Sequence, residues 1–207
     1  MRAQLLMLVL CAIGCAKQGA TPAPKEGGDV TAPAGDGMAN PAGGPMAHPA
    51  TALSAPTVAP ELVVPEGHKL TFMAAAKGVQ IYECAAEAGG APAWKLHAPR
   101  ADLVDDSGAS LGSHFGGVDK SLPPGPYWEA KDGSRVHAGK PVSVPNAGSI
   151  ALLRLEAADT SGTGVFTKVA FVQRLDTTGG VAPTGACTAG KTTEVPYTAK
   201  YYFYSKP

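Results

Sequence analysis

The sequence predicts an all-β fold for residues 57–207 of this chain, a single antiparallel β-sandwich or β-barrel domain with long loops. Three observations support it: short apolar stretches recur between turn sequences, the last stretch alternates with a period of two, and no long stretch has the 3.6-residue period of a helix. Eight or so strands without intervening helices imply either a sandwich or a barrel, and the pattern is compatible with both.

The first predicted strands are 70–75 and 79–85. The dipeptide Lys77-Gly78 lies between them and predicts a hairpin turn, since glycine takes positive φ at low cost. A third strand is predicted at 93–97, because the proline shortly after it removes a backbone donor.

The middle of the domain is divided by turn sequences. Residues 105–108 (DDSG) and 131–134 (KDGS) both have the composition of a tight turn. Farther along, the predicted strands 150–157 and 165–176 flank the polar, glycine-containing segment 160–164 and indicate another hairpin.

The last predicted strand, 196–204, has the clearest alternation. Because successive side chains of a strand point to opposite faces, one face carries every second residue. These residues are Tyr197, Ala199, Tyr201 and Phe203. The other face carries Thr198, Lys200, Tyr202 and Tyr204.

The composition divides the chain into three parts. Residues 16–55 contain no Phe, Tyr or Trp, whereas all aromatic residues lie beyond residue 70, so only the C-terminal part can bury a sizeable core. We therefore assign a signal peptide to 1–14, a disordered Ala/Pro/Gly-rich tether to 15–56 and the β domain to 57–207.

The N-terminus has the pattern of an export signal, with an apolar stretch at 5–13 that is too short to span a bilayer. The sequence around Cys15 resembles a bacterial lipobox, which predicts a lipoprotein of the outer membrane or periplasm with Cys15 as its lipidated residue. The alternative is cleavage after Ala16 or Ala20 and release as a secreted protein.

The charge balance excludes some classes of partner but does not identify one. The formal net charge is +0 and no basic cluster is present, so we expect no nucleic-acid partner, and membrane contact only through a lipid at Cys15. The expected partner is an unknown ligand or another protein of the cell envelope. We predict no cofactor.

Cys84 and Cys187 are the only cysteines in the predicted domain. In an exported chain two such cysteines most simply form a disulfide. Neither Cys-x-x-Cys nor His-x-x-x-His is present, so we assign no metal, although His114, Glu129 and His137 are conceivable ligands.

The candidate catalytic residues are His114, Glu129 and Asp132, because a histidine oriented by a carboxylate can transfer protons near neutral pH. The alternative is that His114 satisfies a hydrogen bond and that Asp132 is a turn residue. The sequence favours this alternative, since no nucleophile motif accompanies the three. We also expect Arg174 to pair with a carboxylate, either Glu83 or Glu129.

Tyr127 and Trp128 are the candidate ligand-binding residues, since aromatic side chains exposed on a β scaffold can stack on sugars or apolar ligands. The alternative for Trp128 is a place in the core of a strand, which we favour.

Six segments of the domain form a recognisable pattern: 78–84 (GVQIYEC), 94–99 (WKLHAP), 112–115 (GSHF), 128–134 (WEAKDGS), 172–187 and 195–203 (VPYTAKYYF). With these segments the domain resembles the uncharacterised domain-of-unknown-function family numbered 3455, which occurs in exported bacterial and fungal proteins. The resemblance implies no established activity. The dehydrogenase label that some relatives carry gains no support here, because no Gly-x-Gly-x-x-Gly follows a strand.

Three functions are compatible with these observations. We favour a non-enzymatic domain of the cell envelope that binds a ligand or partner. The second is an envelope hydrolase that uses His114 with Glu129 or Asp132, and the third is a structural surface protein. If the candidate side chains surround one pocket, the hydrolase is favoured, and if they are dispersed, the binding domain is favoured.

Overall fold

The structure is a computed structural model that describes residues 53–86, 88–118 and 121–207. The predicted signal peptide, Cys15 and the greater part of the predicted tether lie outside these residues. Within the described ranges, no helix is both long enough and apolar enough to cross a membrane.

Eight antiparallel strands form one closed barrel, in which each strand pairs with its neighbours in sequence and the first strand pairs with the last. The all-β prediction is therefore confirmed, and of the two architectures left open the protein adopts the barrel. The strands are β1 (Lys69–Ala85), β2 (Ala93–Val104), β3 (Ser110–Gly117), β4 (Gly125–Ala130), β5 (Arg135–Asn146), β6 (Ser149–Ser161), β7 (Val169–Gly179) and β8 (Thr192–Ser205).

The hairpin predicted at Lys77-Gly78 is wrong, because β1 is one continuous strand of 17 residues. A Cβ placed on Gly78 would lie 2.1 Å from the carbonyl oxygen of Arg100 and 2.5 Å from the Cα of Ala101, both in β2. Glycine at this position thus permits the close approach of two strand backbones, which is its other common role within a sheet. From sequence alone that role could not be distinguished from a turn.

The prediction that the third strand ends at residue 97 is also wrong, because β2 continues through Pro99 to Val104. The pairing of β1 with β2 shifts register between Ile81 and Tyr82, shortly before Pro99 pairs with Gln80. A register shift of this kind is one of the places where a sheet accommodates a proline.

The predicted turns at 105–108 and 131–134 are confirmed. Asp105 accepts hydrogen bonds from the backbone N–H of Ser107 and of Ala109, 2.9 Å each, and from the Ser107 hydroxyl. In the second turn Asp132 accepts in the same way from the N–H and the hydroxyl of Ser134. A short aspartate that bonds the backbone two residues ahead is the physical basis of such turns.

The alternation of the last strand is confirmed for its inward face, where Tyr197, Tyr201 and Phe203 are buried in the barrel core. The outward residues Tyr202 and Tyr204 are buried as well, because another part of the chain covers them.

That cover is the segment before β1, which contains a 3₁₀ turn at Pro60–Leu62. Leu62 is fully buried against the outer face of the barrel. Gln173 fixes the segment: its side-chain N–H donates to the Leu62 carbonyl at 2.7 Å, and its carbonyl accepts from the Tyr204 hydroxyl at 2.8 Å. Arg154 adds a bond to the Val63 carbonyl at 2.7 Å.

One end of the barrel is closed by the loop between β6 and β7. Phe166 is fully buried there and packs 4.5 Å from the ring of Phe203 and 5.3 Å from that of Phe72, between centroids. The loop is held down by the β4–β5 turn, where Asp132 accepts from the Val165 N–H and the hydroxyl of Ser134 accepts from the Phe166 N–H.

At the opposite end, a disulfide joins Cys84 at the end of β1 to Cys187 in the loop between β7 and β8, with 5.9 Å between the two Cα atoms. The predicted pairing is therefore confirmed. Two backbone bonds support it, from the Cys84 N–H to the Lys191 carbonyl and from the Gly190 N–H to the Cys84 carbonyl. The long loop is thereby fixed to the barrel rim.

We predict that the double variant Cys84→Ser/Cys187→Ser loses about 4 to 5 kcal/mol of unfolding free energy, because the bridge closes a segment whose ends are 103 residues apart. Urea unfolding of the two proteins measures the difference. A reductant should shift the wild-type midpoint and leave the double variant unchanged. A loss of less than about 1 kcal/mol would contradict the expectation that the disulfide constrains the unfolded chain.

We also predict that Gly78→Ala lowers the unfolding free energy by about 1 to 3 kcal/mol, since the added methyl group overlaps the backbone of β2. Gly139→Ala is the matched control, because a Cβ at Gly139 meets nothing within 4 Å. Thermal or urea unfolding compares the two. Equal stability of both variants would show that β1 and β2 do not approach so closely.

Candidate ligand-binding cavity

The barrel interior is hollow between the disulfide end and a layer of aromatic rings, and the hollow has a volume of about 350 Å³. This is the lower end of the range usual for small-molecule sites. Most of its wall is apolar or glycine, while the polar side chains are few. The lining residues include Leu96, Val118, Leu153 and Leu155, four prolines, four glycines, and the polar Gln80, His97, His114, Trp128, Arg174 and Tyr201.

His114 and Trp128 form the floor of the cavity. They lie directly opposite each other in the β3–β4 pairing and stack with 4.6 Å between ring centroids. The ring of Tyr201 packs against both, at 4.9 Å from His114 and 5.2 Å from Trp128. All three are fully buried; the His114 and Trp128 rings are nearly parallel, and the Tyr201 ring is inclined to both.

His114 is a neutral imidazole in this setting. Its Nδ1 donates to the Tyr127 carbonyl at 2.8 Å, so Nε2 is the acceptor nitrogen of the ring. The pKa of His114 is lowered from 6.5 to about 3, chiefly by burial; the bond to Tyr127 opposes this effect, and the nearby Arg174 charge adds a smaller lowering. A histidine in this state is a poor proton shuttle at neutral pH.

Arg174 lies in the cavity wall, and its expected pairing with Glu83 or Glu129 is wrong. Its Nε and Nη2 both donate to the carbonyl oxygen of Ala151, at 3.1 and 2.9 Å. Glu83 lies 3.5 Å from the ring of His97 instead, and Glu129 pairs with Arg135 on the outer face. The reason is register: Arg174 points inward and Glu129 outward.

Two buried donors in the cavity wall have no acceptor among the described residues. They are the side-chain Nε2 of Gln80 and the indole Nε1 of Trp128, and both residues are about 1% exposed. A buried donor without a partner is rare in folded proteins, because it loses its bond to water and gains nothing in return.

The three candidate catalytic residues are not brought together. His114 lines the cavity, Glu129 is outside the barrel with Arg135, and Asp132 is in the turn at the closed end, where its carboxylate holds the Phe166 loop. The bonds from Ser134 and Val165 lower the pKa of Asp132, as expected for a carboxylate that organises a turn.

The candidate aromatic pair is separated in the same way. Trp128 is a core residue, as we favoured, and it also lines the cavity. Tyr127, its neighbour in β4, points to the outer face, where its ring stacks between Phe115 at 5.5 Å and His137 at 4.4 Å. Only Trp128 of the two can contact a ligand in the cavity.

No metal centre emerges from the ranges the structure describes, in which no three His, Cys, Asp or Glu side chains are placed to hold an ion. The three conceivable ligands are divided between the faces of the sheet, His114 inward and Glu129 and His137 outward.

Sequence reasoning missed Gln80 as a site residue and gave Arg174 a structural role only. Gln80 and Arg174 are polar residues within apolar strand segments. A polar residue in such a segment is compatible with an inward and with an outward position. Gln173 and Arg174 illustrate this, because adjacent residues must face opposite sides and only the barrel shows which side is interior.

The chain belongs to the family described as Protein of unknown function (DUF3455), whose model matches residues 65–205 and so spans all eight strands. The predicted resemblance is thereby confirmed. No curated protein and no solved structure matches the chain.

We predict that His114 makes the protein less stable in mild acid. Its pKa is lower in the folded state than in the unfolded one, so unfolding takes up a proton as the pH falls below 6.5, and stability decreases by about 1.4 kcal/mol per pH unit. Urea unfolding at pH 7 and 4.5 should show a loss about 2 to 3 kcal/mol larger for the wild type than for His114→Phe.

His137→Phe is the control, since this ring stacks on the outer face, and it should keep the wild-type dependence on pH. If His114→Phe kept it as well, His114 would not be a buried neutral ring.

Proposed function

We propose that this protein is an exported cell-envelope protein whose barrel binds a small, largely apolar ligand without transforming it chemically. The cavity is the observation that carries the proposal. It lies inside the barrel, has about 350 Å³, and combines apolar walls with a few buried polar groups. Closed barrels of eight strands have interiors of a size that side chains fill or that one small ligand occupies.

The size of the lining residues supports a site for a ligand. Near the closed end, Phe72, Phe166 and Phe203 fill the interior. Toward the disulfide end the wall contains glycine and proline at positions such as Gly116, Gly139 and Pro141, which leave the space open. A core selected only for stability would fill it, since interiors are normally packed to the density of organic crystals.

The hydrolase alternative has less support. A carboxylate would have to orient His114, but Glu129 and Asp132 lie on the outer face and at the closed end. The Nδ1 of His114 is already engaged by a backbone carbonyl. Among the described residues, no carboxylate is therefore in place to orient the ring and raise its basicity.

The proposed location rests on the N-terminal sequence. Its short apolar stretch before Cys15 is typical of an exported lipoprotein, and the tether would hold the barrel away from the membrane surface. The disulfide of the barrel is consistent with an oxidising compartment.

We predict that the protein binds the neutral dye N-phenyl-1-naphthylamine, whose fluorescence rises in apolar surroundings, and that Leu153→Trp abolishes this binding. Leu153 is partly buried in the cavity wall, so an indole there would occupy the space of a ligand. Fluorescence titration of the two proteins measures the effect.

Val63→Trp is the control, because Val63 is 52% exposed on the outer surface, and it should bind like the wild type. Circular dichroism shows that each variant is folded. No dye binding to the wild type, or equal binding to folded Leu153→Trp, would contradict the proposal.

A further inference from the structure

Among the described residues, the cavity wall carries a positive charge and no negative charge. Arg174 is its one permanently charged side chain, and no Asp or Glu lines the cavity within the described ranges. The described ion pairs likewise include none to Arg174. A cation in an apolar wall without a counter-charge is unfavourable unless something else compensates it.

Arg174 keeps donors for a ligand. A guanidinium has five N–H groups; two donate to the Ala151 carbonyl and one interacts with the Tyr201 hydroxyl, which leaves two for a ligand. The side chain is inward-facing yet only partly buried, so its accessible surface faces the cavity. The bonds to Ala151 also fix the plane of the guanidinium, which prepares it to bind a planar anion.

The other polar groups of the wall carry no negative charge, and two of them add donors. Gln80 and Trp128 contribute two buried N–H groups that have no acceptor in the part of the chain that the structure describes. His114 is uncharged and its ring is held in place by Tyr127. The interior around the cavity thus holds an excess of donors, which favours an oxygen-rich group of a ligand.

The rim of the cavity presents large apolar side chains beside His97. Leu96 and Val118 both line the cavity and are 55% and 53% exposed to solvent. Large apolar side chains exposed around an opening are typical of a ligand entrance. The cavity thus has a cationic group within and an apolar surface toward its mouth.

We infer that the ligand is an amphiphile with a single carboxylate, which binds Arg174, and an apolar body that extends toward Leu96 and Val118. This inference rests on the proposed function and specifies its ligand class. A carboxylate fits better than a phosphate monoester, because one guanidinium balances one negative charge, and a second charge would stay uncompensated in an apolar wall.

The test uses displacement of N-phenyl-1-naphthylamine from the full-length protein by decanoate, 1-decanol and decylamine, which share the same chain and differ in the head group. Wild-type protein should bind decanoate most tightly and decylamine most weakly. Arg174→Met should lose about 10- to 100-fold in affinity for decanoate and change little for decanol.

Arg100→Met is the matched control, because Arg100 is exposed and pairs with Glu194 on the outer face. It should behave like the wild type. If Arg174→Met does not fold, Arg174→Gln replaces it, since an amide can still donate to the Ala151 carbonyl, and the same results are expected.

The outcomes separate this inference from the proposed function. Equal affinity for decanoate and decanol, or an unchanged decanoate affinity in the Arg174 variant, would contradict the inference that the ligand has a carboxylate. Neither result would contradict the proposed apolar binding site. Binding of none of the three compounds, together with no dye binding, would overturn both. Loss of decanoate binding in Arg174→Met with retained decanol binding supports both.

Discussion

The pairing of β1 with β8 is the constraint on which the rest of the structure depends, because it closes the sheet and so creates an interior. Eight strands enclose a space whose filling depends on the inward side chains. At one end the Phe166 loop and its aromatic neighbours fill it. At the other end the wall contains several glycines and prolines, and a cavity remains. The disulfide at this end fixes the long β7–β8 loop beside the opening without filling it.

The polar groups of the interior are arranged unlike those of the exterior. On the outer face, Gln173 satisfies both ends of its amide, and the carboxylate of Glu129 is paired with Arg135. Inside, Gln80 and Trp128 each have an N–H without an acceptor among the described residues, and Arg174 bonds to a carbonyl instead of a carboxylate. Unpaired buried donors destabilise a fold, so the groups in the interior lower the stability of this protein. Places in a protein that lower its stability in this way are commonly binding sites.

The sequence was sufficient to predict the fold class, the disulfide and the last strand, because each depends on local pattern or on a simple count of cysteines. It could not predict the role of Gly78, since close strand approach and a turn both require glycine. Nor could the sequence predict which residues lie together in the site. His114 and Trp128 meet because β3 and β4 pair in one particular register, whereas Glu129 is one residue from Trp128 and therefore on the opposite face. The residue types suggested a catalytic group that the alternation of a strand separates.

The most direct test of the central claim, that the hollow part of the barrel is the functional site, is the indole N–H resonance of Trp128 in an ¹H–¹⁵N NMR spectrum during titration with decanoate. This N–H lies in the cavity wall and has no acceptor among the described residues. Trp94, which is outside the cavity lining, provides the internal reference. The account predicts a saturable shift of the Trp128 signal and little change for Trp94. An unshifted Trp128 signal at decanoate concentrations that saturate binding would place the ligand elsewhere and contradict it.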